Sequence, residues 1–350
     1  MLKILVIRND KIGDFMLAWP SFALLKFQYP QAEITALVPH YTAPLAEQCE
    51  WIDKVLIDDK KNTFFPDIIN LSKNIRQNNY DLSISLFSET RTSLALWLAG
   101  IKLRIGPATK IAQIFLNNTL RQKRSESLKP EYEYNLDLIN HYINYNHDKL
   151  TKPKEPPYLW FSKDEINYLR NDIEKTYNIP KNNKIIIVHP GTGGSAINLS
   201  TNQYAELITN IGKLCKAYFI ITAGPSELEK SSAVSQKIHD VKHHVHESKN
   251  GIINFCKIIN ACDLFISGST GPLHIAGALN IPTVAFYPTR QSATSLRWET
   301  INTKENRLAF MPENSASENN LKSINIDECS NKIFMKFFKN KPHFSHNNVN

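Results

Sequence analysis

Long hydrophobic runs are missing from this 350-residue chain. The most apolar stretches, such as those at 184–189 and 217–223, run only four to six residues between polar ones, whereas a spanning helix needs roughly 20. No secretory leader is expected either: Met-Leu-Lys-Ile-Leu-Val-Ile-Arg-Asn-Asp meets charge within eight residues, and no small-residue cleavage site follows. The expectation is a protein that starts folded and stays in the cytoplasm. Cysteine is scarce and irregular, with Cys49, Cys215, Cys256, Cys262 and Cys329. An odd, scattered set fits neither a disulfide framework nor a zinc site, so these read as reduced, mostly buried small hydrophobes. Two nucleotide fingerprints are absent as well. No glycine loop ends in Gly-Lys-Ser/Thr, and none has the Gly-x-Gly-x-x-Gly spacing, which disfavours a P-loop kinase or a dehydrogenase. Recognition modules and aromatic–basic interleaving for nucleic acid are also lacking, so no nucleic-acid partner is expected.

What is present is enough apolar material, 42% of residues, to fill two cores. At this length two domains are the expected arrangement. The formal net charge of +8 permits a polyanionic partner, although the richness in Lys, Asn and Ile throughout is an equally good account of it. Hydrophobic periodicity predicts strand 2–7, helix 14–29, strand 32–38, a short strand at 54–57, helix 66–77 and strand 80–86. Lys152-Pro-Lys-Glu-Pro-Pro157 and a helix over 164–177 form the linker. A second series follows: strand 184–189, helix 201–215, strand 217–223, helix 251–261, strand 264–267, helix 272–279 and strand 283–287. Strands alternating with helices predict an α/β fold with mostly parallel sheets, since parallel neighbours require crossover connections. Such sheets bind ligands at the carboxyl ends of their strands, and two of them imply a central cleft. The expected boundaries are 1–160, 161–330, and 331–350 for a closing helix and frayed tail.

Two loops stand out in the second half. Ile185-Ile-Ile-Val-His-Pro-Gly-Thr-Gly-Gly-Ser195 is a strand running into a glycine-dense turn, in which backbone amides and a following helix start could receive a phosphate. On shape alone a plain strand-to-helix turn explains it equally well. Gly268-Ser-Thr-Gly-Pro-Leu-His-Ile-Ala-Gly277 repeats the pattern, with Ser269, Thr270 and Gly271 at a helix start and Pro272 in its first turn. His274, one turn in, reaches the same phosphate if it faces the loop, or else packs on the sheet. Glu227, in Ala223-Gly-Pro-Ser-Glu227, reads either as an acceptor for ribose hydroxyls or as a carboxylate favoured by a helix N-terminus.

In the first half, Arg8-Asn-Asp-Lys-Ile-Gly-Asp14 follows strand one. A sugar hydroxyl is a poor nucleophile near neutral pH and needs a carboxylate or histidine within hydrogen-bond reach. Asp14 and Asp10 are the candidates. From spacing alone, Asp14 reads first as a helix N-cap.

These motifs, taken in order, resemble glycosyltransferase family 9, which includes the lipopolysaccharide heptosyltransferases. The carriers are Ile4-Leu-Val-Ile-Arg8 with Lys11-Ile-Gly-Asp-Phe15, His189-Pro-Gly-Thr-Gly-Gly-Ser195, Ala223-Gly-Pro-Ser-Glu227, and Ile266–Ala276 with Ile281-Pro-Thr-Val284. The resemblance implies a GT-B fold of two Rossmann-like domains, the first binding acceptor and the second binding donor, with inversion at the anomeric carbon. It also implies no metal and no cofactor, the donor substrate being a nucleotide diphosphate sugar such as ADP-heptose. Asp14 would be the catalytic base. Thr192, Gly193 and Gly194 would meet the donor diphosphate, together with Ser269, Thr270, Gly271 and His274, and Glu227 would lie near ribose. An anionic glycolipid or core oligosaccharide would meet Lys11, Arg104, Arg121, Lys123 and Arg124, part of a basic stretch that also contains Lys102, Lys110 and Lys129.

The chain departs from the family pattern twice: Ser269 stands where an acid is usual, and Ile197 where a Lys or Arg is frequent. Lys11, Arg290 or Arg297 would then supply the missing cation, or the donor differs from ADP-heptose. A GT-B-type nucleotide-sugar epimerase and a catalytically lapsed nucleotide- or saccharide-binding protein are the alternatives. The helix around Lys332-Ile-Phe-Met-Lys-Phe-Phe-Lys339 reads as a closing helix first and as a peripheral contact with the inner membrane second.

Overall fold

A computed structural model describes residues 1–60, 64–109, 111–194, 196–224, 226–313 and 319–339. Lys110, Ser195, Pro225 and the His/Asn-rich tail from 340 onward lie outside the described residues. The chain divides into two compact units, Met1–Tyr158 and Leu159–Asn350.

The first unit runs β1 (Lys3–Ile7), α1 (Ile12–Met16), α2 (Trp19–Gln28), β2 (Glu33–Val38), α3 (Ala43–Glu47), β3 (Lys54–Ile57), α4 (Phe64–Gln77), β4 (Leu82–Ser85), α5 (Thr90–Ala99), β5 (Leu103–Pro107), β6 (Asn118–Leu120) and α6 (Glu131–Tyr145). The strands form one sheet in the order β3-β2-β1-β4-β5-β6, and every pairing is parallel. Leu5, Ile7 and Leu37 on the sheet pack with Ile68, Leu71 and Ile75 of α4 and with Ala95 and Leu96 of α5. The single helix expected over 14–29 is two helices. Pro20 explains the break: it lies in the first turn of α2, where its missing N–H costs nothing, whereas in mid-helix its ring would clash with the carbonyl four residues back.

The second unit runs α7 (Lys163–Thr176), β7 (Lys184–His189), α8 (Thr201–Leu214), β8 (Ala217–Ala223), α9 (Leu228–Ser235), β9 (His243–Glu247), α10 (Gly251–Asn260), β10 (Leu264–Gly268), α11 (Gly271–Ala278), β11 (Thr283–Phe286), β12 (Arg307–Phe310) and α12 (Ile326–Phe337). Its sheet order is β12-β11-β10-β7-β8-β9, again with parallel pairings throughout. The aliphatic strand β7 is buried along nearly its whole length, as expected of a central parallel strand covered on both faces. Cys329, Ile333 and Phe337 of α12 join Leu207, Ile208 and Ile211 of α8 in this unit's core. That packing accounts for the closing helix. Among the described residues no helix is long and apolar enough to cross a membrane.

Numbered within each unit, both sheets have the order 3-2-1-4-5-6. In such a sheet the chain reverses direction between strands 1 and 4, leaving a crevice at their carboxyl ends where ligands bind. In the first unit that point lies between β1 and β4, and in the second between β7 and β10. The Arg8–Asp14 loop follows β1 and the two glycine loops follow β7 and β10, at these two points.

Candidate functional site

In the first unit, β1 delivers Arg8 just beyond its carboxyl end. The side chain is 2% exposed and its donors are almost fully used. Nε donates to Asp10 Oδ1 at 2.9 Å and Nη2 to Asp14 Oδ1 at 2.8 Å. Nη1 donates to Glu131 Oε1 at 3.0 Å, Asn135 Oδ1 at 3.1 Å and the Leu86 carbonyl at 3.3 Å. Arg124 Nη1 also reaches Glu131 Oε1, at 2.7 Å. A buried charge is tolerated only when paired and hydrogen-bonded. Here two arginines and three carboxylates satisfy each other, and Asp10 and Asp14 remain 16% exposed.

Asp14 is not a helix cap. Lys11 holds the N-cap position of α1, and Asp14 lies in the first turn with its carboxylate turned to Arg8. Burial, opposed by the Arg8 guanidinium and reinforced by the Asp14 charge, pushes the Asp10 carboxyl up to about 7. The Tyr41 hydroxyl donates to the Asp10 carbonyl at 2.7 Å, closing the loop from the β2 side.

The basic candidates separate. Arg121 and Lys123, with Lys129, Tyr134 and His141, line a cavity of about 520 Å³ beyond β6. Arg124 adjoins it and ties it to the Arg8 cluster through Glu131. Lys11 is exposed beside Asp14. Arg104 is not brought to this group. It lies near the amino end of β5, opposite Ser83, where Nε donates to the Phe115 carbonyl at 2.7 Å and Nη1 to the Ile101 carbonyl. Lys110 lies outside the described residues.

In the second unit, Gly193 and Gly194 adopt left-handed backbone at φ +52° and +71°, which favours glycine. The turn aims successive amides at one point, and a carboxylate of the chain fills it. Glu227 Oε1 accepts from Thr192 N and from Gly193 N, each at 2.6 Å. A Cβ on Gly191 would stand 2.1 Å from Glu227 Oε2, so only glycine admits this approach. His189 Nε2 is 3.8 Å from Glu227 Oε2, and its Nδ1 is 2.9 Å from Thr222 Oγ1. Burial pulls the His189 imidazole down to about 4, leaving it neutral near pH 7. The helix α8 begins later than the glycine turn and caps itself: Ser200 Oγ accepts from Gln203 N at 3.3 Å in a capping box.

The second loop is organised differently. Ser267 Oγ donates to the His189 carbonyl at 2.9 Å and meets Thr270 Oγ1 at 3.1 Å. Thr270, the N-cap of α11, makes no side-chain capping bond. It therefore does not spend the first-turn amides that Gly271 and its neighbours present. Ser269 is partly exposed on this turn. His274 is 2% exposed, is pulled down to about 4 by burial, and has no partner for Nδ1 among the described residues. Its ring faces Trp298 at 6.5 Å, and the Arg297 guanidinium lies 5.5 Å over the same indole. Arg290 is exposed. Asn198 joins the two loops, donating to the Pro190 carbonyl at 3.0 Å and accepting from the Tyr204 hydroxyl at 2.5 Å. It lies so close to Gly268 that a Cβ there would be 2.7 Å from its Oδ1. Ile197 is apolar packing against the sheet core.

The profile of glycosyltransferase family 9 (heptosyltransferase) matches residues 68–323. The chain belongs to that family. A Haemophilus influenzae protein assigned as a glycosyltransferase is 43% identical to this family 9 enzyme over 348 residues, 99% of this chain and 100% of its own. The lipooligosaccharide heptosyltransferase 2 of Haemophilus ducreyi is 24% identical over 312 residues, 84% of this chain and 85% of its own. Among solved structures, the ADP-heptose lps heptosyltransferase II of E. coli matches with a TM-score of 0.76 and 20% identity, over 96% of this chain and 98% of that one. The two Rossmann-type units are those of the GT-B fold, and the enzyme is a heptosyltransferase-like glycosyltransferase. The epimerase alternative is not favoured.

Sequence reading did not nominate Arg8, Glu131 or His189. Arg8 left one signal, a cation closing an aliphatic strand. Glu131 left none, because its partner lies 123 positions away.

Proposed function

We propose that this family 9 glycosyltransferase moves a sugar from a nucleoside-diphosphate donor to a hydroxyl of an anionic, lipopolysaccharide-core-type saccharide, with inversion and without a metal. The observation that carries the reading is Asp14, a partly exposed carboxylate at the β1/β4 crevice, held in one orientation by buried Arg8. Positioned there, it would take the proton of the acceptor hydroxyl as the hydroxyl oxygen attacks the anomeric carbon. Such general-base help is worth roughly 10²–10⁴ in rate.

The donor diphosphate would lie at the β7/β10 crevice. The amides of Gly271 and its neighbours, Ser269, Thr270 and the buried His274 would meet the phosphates at the start of α11, where the helix dipole favours an anion. Thr192, Gly193 and Gly194 would complete the pocket once Glu227 turns from their amides toward ribose. Arg297, over the Trp298 ring that His274 faces, is one candidate for the cation that Ile197 does not supply, and Arg290 and Lys11 are the exposed ones. On the acceptor side, Arg121, Lys123 and Arg124 around the 520 Å³ cavity suit phosphate or carboxylate groups. Lys11 would lie nearest the reacting hydroxyl, and Arg104 belongs to the acceptor side only as part of the fold. Contact with an anionic membrane surface would follow from a glycolipid acceptor.

ADP-heptose is the first donor to test, since it is named for the E. coli structure. A thermal-shift panel of nucleoside diphosphates and their sugars identifies the base, because a ligand of the native state raises stability with occupancy. Transfer to lipopolysaccharide-core acceptors is then followed by mass spectrometry. Asp14→Asn should lose at least about 10²-fold in kcat while keeping nucleotide affinity. Retention of full turnover by Asp14→Asn would remove Asp14 as the base.

A further inference from the structure

One edge of a guanidinium, Nε and Nη2 together, presents two parallel N–H groups and ordinarily receives both oxygens of a single carboxylate. In this chain that edge receives two different carboxylates. Asp10 Oδ1 takes Nε at 2.9 Å and Asp14 Oδ1 takes Nη2 at 2.8 Å. The remaining nitrogen, Nη1, is committed to Glu131, Asn135 and the Leu86 carbonyl. The charges facing Asp10 are Arg8 from just beyond β1, Asp14 from α1 and Glu131 from α6. Arg124 stands behind Glu131, and the Tyr41 hydroxyl donates to the Asp10 backbone. Three carboxylates against two guanidiniums leave one negative charge in excess in a largely buried cluster. Two carboxylates sharing one site do not both ionise readily, and their protons belong to the pair.

We propose that Asp10 is a second, proton-holding carboxylate of the site, paired with Asp14 across one edge of the Arg8 guanidinium, so that a proton received at Asp14 is shared with Asp10. This rests on the reading of Asp14 as the base that accepts the hydroxyl proton. In the transfer step the acceptor O–H bond breaks as its oxygen bonds the anomeric carbon. The anomeric C–O bond to phosphate breaks, and its electron pair leaves with the nucleoside diphosphate. The proton passes to an Asp14 oxygen, is held between Asp14 and Asp10, and goes to solvent as the products depart. A lone carboxylate on a guanidinium binds a proton weakly, whereas two on one edge bind it jointly and more tightly. Burial raises the Asp10 carboxyl, and the Asp14 charge adds to that rise against the lowering by Arg8. Asp10 acts through Asp14 and is a positioning residue.

The test needs neither donor nor acceptor. Aspartate carboxyl carbons labelled with ¹³C are titrated by NMR in the full-length protein. The expected result is one carboxyl with a midpoint near neutrality, absent in Asp10→Asn and moved to lower pH in Asp14→Asn. If every aspartate of the wild type titrates below about 5, as isolated carboxylates do, or if the near-neutral carboxyl persists in Asp10→Asn, the pairing is wrong whatever the enzyme transfers. Where transfer is measurable, the acid limb of the kcat/KM profile should move down by about one pH unit or more in Asp10→Asn. An unmoved limb would overturn the proposal and leave Asp14 in place as the base.

Discussion

The Glu227 carboxylate lies 2.6 Å from the backbone nitrogen of Thr192, in the position that a bound phosphate oxygen would take in a glycine turn. The same oxygen also accepts from Gly193 N. The turn is thus filled by an anion of its own chain, and an anion entering it would have to displace that carboxylate.

Removing that competitor has a signed consequence. Glu227→Ala should bind inorganic pyrophosphate about 5- to 10-fold more tightly, equivalent to one recovered hydrogen-bonding site of roughly 1 kcal/mol. Titration calorimetry checks this, and pyrophosphate is the right probe because it carries no ribose for Glu227 to contact. Weaker binding by the variant would mean that the carboxylate holds the turn in shape rather than closing it.

Arg8 carries three carboxylates from a nearly waterless position. Arg8→Met should therefore lose about 3–5 kcal/mol of stability near pH 7, since buried charges are left without their partner. Arg8→Lys should recover only part of this, because one ammonium has no planar fork to serve Asp10, Asp14 and Glu131 at once. Urea denaturation of the three proteins gives the comparison.

The buried imidazoles predict an acid sensitivity centred on the second unit. Burial pulls both His189 and His274 down to about 4 in the folded chain, whereas the unfolded residues titrate near about 6.5. The unfolded state thus takes up protons first as pH falls. Stability should decline from about pH 6.5 toward pH 4, by on the order of 1–2 kcal/mol for each imidazole at about pH 5. Denaturant titrations at about pH 7 and pH 5 measure it, and His274→Leu should reduce the difference between them by that share.

Much of the architecture was legible because it depends on local pattern. Aliphatic runs of strand length, helices with apolar residues at 3.6 spacing and the Pro-rich linker placed most elements within a few residues. The His-rich strand β9 was missed because His243-His-Val-His246 has no apolar alternation and is strand only through its pairing with β8. The helix expected over 14–29 was miscounted because Pro20 is compatible with a first turn as well as with a break.

By itself, the sequence determined the α/β class, the two-unit length, the two glycine loops and the family, all of which follow from short-range spacing and residue type. The partners of each charge were decided only by the tertiary structure. From spacing alone Asp14 reads as a helix cap until Arg8 turns its carboxylate, Glu227 reads as a ribose acceptor or a helix-start carboxylate with no sign that its oxygen meets the glycine turn, and Arg104 reads as part of a basic surface until β5 gives its donors to carbonyls. The physical reason is that a buried charge must be satisfied by whatever the fold brings within about 3 Å. For Arg8, that includes a glutamate 123 residues along the chain.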